Sequence, residues 1–133
     1  MIIQFLHFAF RQESTEEQRN RALKLIRDIS AVESVSFAVH GRFIGDPAAG
    51  YSHAYSFGLA DLDAVERYMY DPVHLAHDPE ILPHLAKLHV GIAASDDPDP
   101  NLFTKITQIY QGKVARHPEW ERLMASIPEV RIG

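Results

Sequence analysis

The chain has 133 residues, of which 46% are hydrophobic and 23% are charged, a balance typical of a globular domain rather than of a disordered chain. Its 18 acidic and 13 basic residues give a formal net charge of -5, which disfavours nucleic acid and anionic lipid surfaces as partners. Cysteine is absent, which excludes disulfides, thiolate metal sites and cysteine nucleophiles.

Several common signals are missing from the sequence. No basic region followed by a long apolar run begins the chain, and no segment approaches the ~18 apolar residues of a membrane span. We therefore expect a cytoplasmic protein. The fingerprints of dinucleotide sites, P-loops, zincins and α/β-hydrolases are also absent, so we expect no cofactor.

The first predicted element is a strand from Ile2 to Phe10, because IIQFLHFAF is rich in isoleucine and aromatic residues and lacks glycine and proline. Side chains alternate between the two faces of a strand, and both faces here are largely apolar. Such a strand needs cover on both sides. Helices of the same chain supply one layer, and a second copy of the chain is predicted to supply the other.

A helix is predicted next, from about Thr15 to Ile29, with Ser14 as its N-cap and Glu17 completing a capping box. Two strands follow, at Val32–His40 and Tyr51–Leu59. The stretch between them is rich in glycine and contains proline, which predicts a loop.

The second helical region is predicted to begin after Asp61 and to stop at Pro72. A new helix then starts, with Asp71 as its N-cap and Pro72 in its first position. Pro79 is predicted to break this helix again. The buried stripe of the first of these helices comprises Leu62, Val65 and Met69.

A fourth strand is predicted from about Lys87 to Ser95, followed by the hinge DDPDP. We therefore divide the chain into a domain, residues 1–96, and a C-terminal extension, residues 97–133. The extension contains a short amphipathic helix that begins at Pro118. It is too short to bury a core of its own, so it should pack on the body or on a partner subunit. Its predicted anchors are Trp120, Leu123 and Met124.

The order of the predicted elements is strand, helix, strand, strand, helix, strand. This order is typical of the ferredoxin-like α+β fold, βαββαβ, in which helices cover one face of an antiparallel sheet. Two such sheets placed face to face form a dimeric α+β barrel, which satisfies the second apolar face of the first strand.

Three stretches resemble the stress-responsive dimeric A/B barrel (Dabb) domain proteins of the dimeric α+β barrel group. They are HFAF in the first strand, GYSHAYSF at residues 50–57 and LDAVERYMYDPVH at residues 62–74. The last two match the family's G-Y-[ST]-H strand and its helix ending in Y-x-x-H-P-x-H. The likeness spans residues 2–95. It implies a homodimer whose sheets pack together and a pocket between each sheet and its helices.

The same resemblance implies site residues, because the family includes a polyketide cyclase in which a His and a Tyr move protons during an aldol ring closure. By motif position these are His74 and Tyr68. The implied pocket wall comprises Gln4, Leu6, Phe8, Ala22, Ile26 and Tyr55. The cyclase has a His at the position of Gln4, and the family shows a His where this chain has Asp71 and a continuous helix where it has Pro79. These departures argue against the cyclase's own substrate.

The histidines also have other interpretations. His74 and Tyr68 are also explained as structural residues, and they lie across the predicted break at Pro72. His53 shares a strand face with tyrosines, which fits a polar aromatic cavity wall for substrate or, more commonly, cross-strand packing. The spacing of His74 and His77 is also that of two metal ligands on a helix, although local sequence fixes no third ligand.

The leading hypothesis is therefore a homodimeric barrel that binds a small organic molecule. His74 and Tyr68 give it cofactor-independent acid–base chemistry of the cyclase, isomerase or lyase type. One alternative is a stress-responsive or structural dimer without catalysis. Another is a cofactor-free monooxygenase, a chemistry found in the wider barrel group.

Overall fold

The computed structural model describes residues 1–133 as five strands and five α-helices. The strands are β1 (Ile2–Phe10), β2 (Val35–Arg42), β3 (His53–Leu59), β4 (Leu85–Ser95) and β5 (Glu129–Ile132). The helices are α1 (Glu16–Ser30), α2 (Leu62–Met69), α3 (Pro72–Ile81), α4 (Leu102–Arg116) and α5 (Pro118–Ala125). None of these helices is both long enough and apolar enough to cross a bilayer.

The five strands form one sheet in the order β2-β3-β1-β4-β5. The central strand β1 is antiparallel to both β3 and β4, and β2 is antiparallel to β3. The predicted ferredoxin-like α+β fold is therefore confirmed. The sequence did not predict β5, a short edge strand that pairs in parallel with β4 and adds the end of the extension to the sheet.

The N-cap of α1 is Thr15, and the prediction of Ser14 was wrong by one residue. The Oγ1 of Thr15 accepts a hydrogen bond from the backbone N–H of Gln18 at 3.1 Å, and Gln18 Oε1 accepts one from Thr15 N–H at 2.9 Å. Ser14 instead donates its hydroxyl to the carbonyl of Arg11 at 2.6 Å. Ser14 with Glu17 fits the same spacing one position earlier, so the pattern alone did not separate the two caps.

Three strands also begin at a different residue from the one predicted. β2 begins at Val35 rather than Val32, because the chain turns there and Val35 N–H donates to the Val32 carbonyl at 3.1 Å. β3 begins at His53 rather than Tyr51, and β4 begins earlier than predicted, at Leu85. Each candidate site residue of the sheet stays within its predicted strand.

The restart at α3 is confirmed, because Asp71 Oδ1 accepts a hydrogen bond from Val73 N–H at 2.9 Å and Pro72 occupies the first turn. The predicted break at Pro79 is wrong, since α3 continues to Ile81. Pro79 lies in the last turn of α3, so the helix ends soon after the residue that lacks an N–H. Asp78 and His74 therefore lie on the same face of α3, with Asp78 one helical turn after His74.

A single core joins the body and the C-terminal extension. Trp120 and Met124 are buried, and Leu123 packs against them while half-buried. They belong to the same hydrophobic cluster as residues of the sheet and of α1. The extension thus packs on the body of its own protomer. The division at residue 96 stays a prediction, because the core runs across it.

The helices cover one face of the sheet. The opposite face, here called the open face, presents large apolar side chains to solvent. In β2, Phe37 is 48% exposed and Val39 is 64% exposed. The ring of Phe37 lies against Gly58, where an added Cβ would be 2.3 Å from the ring, and the ring of Phe5 lies in the same way against Gly91. These glycines let aromatic rings lie flat on the open face.

Candidate functional site

A cavity of about 370 Å³ lies between the opposite, helix-covered face of the sheet and the helices. Of the 21 residues that line it, 15 are hydrophobic. The extension supplies part of the wall, including Phe103, Ile106 and Trp120. An apolar cavity of this volume with a few polar groups is typical of a site for a small organic ligand.

Four of the residues that the sequence placed at a pocket line this cavity: Gln4, Leu6, Tyr68 and His74. The other five do not. Phe8, Ala22, Ile26 and Tyr55 are buried core residues, and His53 stacks on the ring of Phe8 with ring centroids 5.2 Å apart. None of these five lines the cavity, and their ligand-binding role stays a prediction.

His74 and Tyr68 meet at the cavity wall, as the family resemblance implied, with ring centroids 4.6 Å apart. Tyr70 and Asp71 join α2 to α3, and the first turn of α3 lies close to the end of α2. His74 Nδ1 is 2.9 Å from the backbone oxygen of Tyr68. A carbonyl oxygen only accepts, so Nδ1 carries a proton. His74 Nε2 lies 3.2 Å from Asp78 Oδ2, so both ring nitrogens face acceptors of the protein.

Asp78 is the centre of the polar part of the site and is only 6% exposed. Its Oδ2 accepts a hydrogen bond from Trp120 Nε1 at 2.8 Å and lies 3.9 Å from Lys113 Nζ. Burial raises the pKa of Asp78, but His74, Lys113 and the Trp120 donor together lower the pKa below its ordinary value. The carboxyl group is therefore ionised at neutral pH.

Lys113 lies behind Asp78 and has no exposed surface. Its Nζ has no hydrogen-bond partner and sits 4.2 Å from the centroid of the Trp120 ring, a cation–π geometry. Burial lowers the pKa of Lys113 to about 8, although the charge of Asp78 opposes this shift. A buried amine of this kind destabilises the fold and is typical of functional sites.

The lowered pKa of Lys113 leads us to expect that the free energy of unfolding rises with pH. The unfolded chain holds the lysine proton up to a pKa near 10.5, whereas the folded chain releases it at about 8. Between these values the unfolded state binds more protons, so the free energy of unfolding increases as the pH rises. Urea unfolding at about pH 7.5 and about pH 9.5 measures the rise. The Asp78 that faces Lys113 is already ionised across this window. A Lys113→Met variant that kept the full rise would contradict the assignment.

Two further polar groups face the cavity. Burial raises the pKa of Tyr68 well above its ordinary value, with Tyr55 and Asp78 adding to the shift, so its hydroxyl remains a neutral donor. Gln4 is 7% exposed, and no group of the protein forms a hydrogen bond with its side-chain amide. Tyr68 and Gln4 therefore offer a donor and an amide to a bound molecule.

The geometry does not unite His74 and His77 in a metal site. His77 Nε2 faces Asp28 of α1 at 3.5 Å, whereas His74 faces Asp78. No group of three or more His, Asp or Glu residues in the chain is arranged to hold a metal ion.

Sequence reasoning missed Asp78 and Lys113 as parts of the site and assigned Trp120 only an anchoring role. One signal was available for Asp78, since it follows His74 at the i, i+4 spacing of one helix face. The predicted break at Pro79 obscured it. Nothing in the local sequence marks Lys113, because its neighbours Asp78 and Trp120 come from other helices.

No family model matches the chain, and no curated protein matches it. Several solved structures, in contrast, are similar to the chain. A Dabb family protein with a ferredoxin-like fold from Mesorhizobium loti is 23% identical, with a TM-score of 0.63 over 72% of this chain and 97% of its own. A dimeric ferredoxin-like protein of unknown function from Thermobifida fusca is 22% identical, with a TM-score of 0.61 over 71% and 90%.

A hydroxynitrile lyase from Passiflora edulis is 16% identical, with a TM-score of 0.64 over 74% of this chain and 96% of its own. These likenesses confirm the ferredoxin-like fold that the sequence resemblance implied. Each neighbour is matched almost over its full length, whereas about a quarter of this chain has no counterpart in it.

Proposed function

We propose that the protein is a homodimer that binds a small, largely apolar organic molecule in the cavity of each protomer. The observation that supports binding most directly is the cavity of about 370 Å³ with Gln4, Tyr68, His74 and Asp78 in its wall. Two observations support the dimer: the exposed apolar side chains of the open face, and the description of structural neighbours as dimeric. A cytoplasmic location stays a prediction.

We further propose cofactor-independent acid–base chemistry for this site, of the cyclase, isomerase or lyase type. The neutral hydroxyl of Tyr68 is placed to donate to an oxygen that becomes negative, such as that of an enolate. In the neutral tautomer that the Tyr68 carbonyl favours, Nδ1 of His74 carries the proton and Nε2 is the atom that accepts and returns the substrate proton, while the Asp78 carboxylate stabilises the imidazolium that forms. The hydroxynitrile lyase among the neighbours is consistent with this class at the level of the fold.

Ligand binding without turnover is the second candidate. It is favoured by one observation, the engagement of both His74 nitrogens by acceptors of the protein. In that case the histidine holds α3 against α2 and moves no proton. The structure offers no observation that favours the monooxygenase alternative.

A substrate-independent exchange assay separates the two candidates. Small aryl ketones that carry deuterium next to the carbonyl lose it to water when a protein group abstracts the α-deuteron. We expect the protein to speed this loss, and His74→Ala or Tyr68→Phe to slow it by about 10²-fold or more. NMR of the ketone measures the rate.

The control for the exchange assay is His117→Ala, since His117 does not line the cavity. It should exchange deuterium at the wild-type rate. Equal exchange by wild type, His74→Ala and Tyr68→Phe would exclude acid–base catalysis of this type and leave the binding protein. Circular dichroism of each variant shows whether a lost rate reflects a lost fold.

A further inference from the structure

The two oxygens of Asp78 differ in their surroundings. Oδ2 receives all the contacts of the carboxylate: it faces His74 Nε2, Trp120 Nε1 and Lys113 Nζ. No group of the protein donates to Oδ1, and Oδ1 is not among the buried atoms that lack a partner. Because Asp78 lines the cavity, Oδ1 is the oxygen that an entering molecule meets.

The carboxylate is held in place by the C-terminal extension. Trp120 of α5 donates to it, and Lys113 of α4 lies behind it, while α3 fixes its backbone. The structural neighbours lack a counterpart for about a quarter of this chain, and the family resemblance ends at residue 95. The Trp120 and Lys113 contacts of Asp78 thus come from residues beyond the end of the sequence resemblance.

From these contacts we propose that Asp78 Oδ1 is the acceptor for a hydroxyl group of a neutral, otherwise apolar ligand, and that the Gln4 amide is a second polar contact. This inference rests on the proposed binding function and names the class of ligand. An ionised carboxylate in an apolar cavity binds a hydroxyl donor strongly, since hydrogen bonds to charged groups exceed neutral ones.

The charges around Asp78 select against ionic ligands. A carboxylate or phosphate would approach Oδ1 with the same sign of charge and without water to screen the repulsion. A cation would find a carboxylate whose charge Lys113 already faces from behind. A neutral alcohol satisfies Oδ1 without adding a charge to a wall in which 15 of 21 residues are hydrophobic.

Three probes of nearly equal size test this inference: para-ethylbenzyl alcohol, its methyl ether and para-ethyltoluene. Trp120 is the only tryptophan of the chain and lines the cavity, so its fluorescence reports binding directly. We expect the wild-type protein to bind the alcohol about tenfold or more tightly than either other probe, because only the alcohol donates a hydrogen bond.

The matched variant is Asp78→Leu/Lys113→Met, in which both buried charges are removed together so that neither is left unpaired. We expect it to bind the three probes with similar affinity. Wild-type binding of all three probes without preference for the alcohol would overturn the inference and leave the proposed binding function intact. A preference that survives in the double variant would also overturn it. Failure of every probe to bind the wild-type protein would contradict both proposals.

Discussion

Replacing Val39 by glutamate is expected to separate the proposed dimer into folded monomers. Val39 is 64% exposed in the protomer and lies in β2 on the open face, where its neighbours include Phe37. In a two-fold dimer each substitution occurs twice, so two carboxylates would enter an apolar interface without partners. We expect the dissociation constant of the dimer to rise by about 100-fold or more.

Sedimentation equilibrium measures this change directly, because the protomer mass is 15.1 kDa and the dimer has twice that mass. Phe103→Glu is the matched control. Phe103 is 61% exposed, close to the value for Val39, but it lies on α4 at the helix side of the sheet. It should sediment as the wild type does. A wild-type protein that sediments as a monomer at micromolar concentration would contradict the proposed dimer outright.

Replacing Asp78 by alanine is expected to lower the free energy of unfolding by about 3 to 5 kcal/mol, the usual cost of removing one partner of a buried ion pair. The substitution leaves the buried Lys113 without its counter-charge and Trp120 Nε1 without its acceptor. Adding Lys113→Met should recover much of the loss, because the uncompensated charge is then gone. A double-mutant cycle in urea measures the coupling between the two side chains.

Asp28→Ala is the control for this cycle. Asp28 also pairs with a lysine and a histidine, Lys24 and His77, but its side chain is 42% exposed. Exposed pairs contribute about 0 to 1 kcal/mol, so this variant should be nearly as stable as the wild type. Similar losses for Asp28→Ala and Asp78→Ala would show that burial of the Asp78 cluster has no special energetic role.

Local sequence patterns predicted most helices and strands of the fold, because the composition or the first residues of these elements identify them. β1 is continuous and aromatic, the Asp71–Pro72 pair starts α3, and Pro118 starts α5. The structure of the C-terminal extension was predicted only in part. β5 is a short edge strand without a buried residue, and its position depends on pairing with β4 rather than on an alternating pattern.

Of the residues at the site, the sequence predicted only those that lie within the motifs of the family resemblance. His74 and Tyr68 were named from motif positions and meet at the cavity wall. The Trp120–Asp78 hydrogen bond joins residues 42 positions apart, and the Lys113 contact likewise depends on how α4 packs. Long-range contacts of this kind leave no periodicity in the sequence. Tyr55 and Ile26, which the resemblance implied as pocket wall, are buried in the core and do not line this cavity.

A crystal structure of the protein grown with para-ethylbenzyl alcohol tests directly whether one face of the sheet pairs with a second copy while the other side holds a ligand. We expect two copies joined through β2 and Val39, with the alcohol between sheet and helices and its hydroxyl on Asp78. Protomers whose open faces remain in solvent, or an alcohol bound away from that cavity, would contradict it.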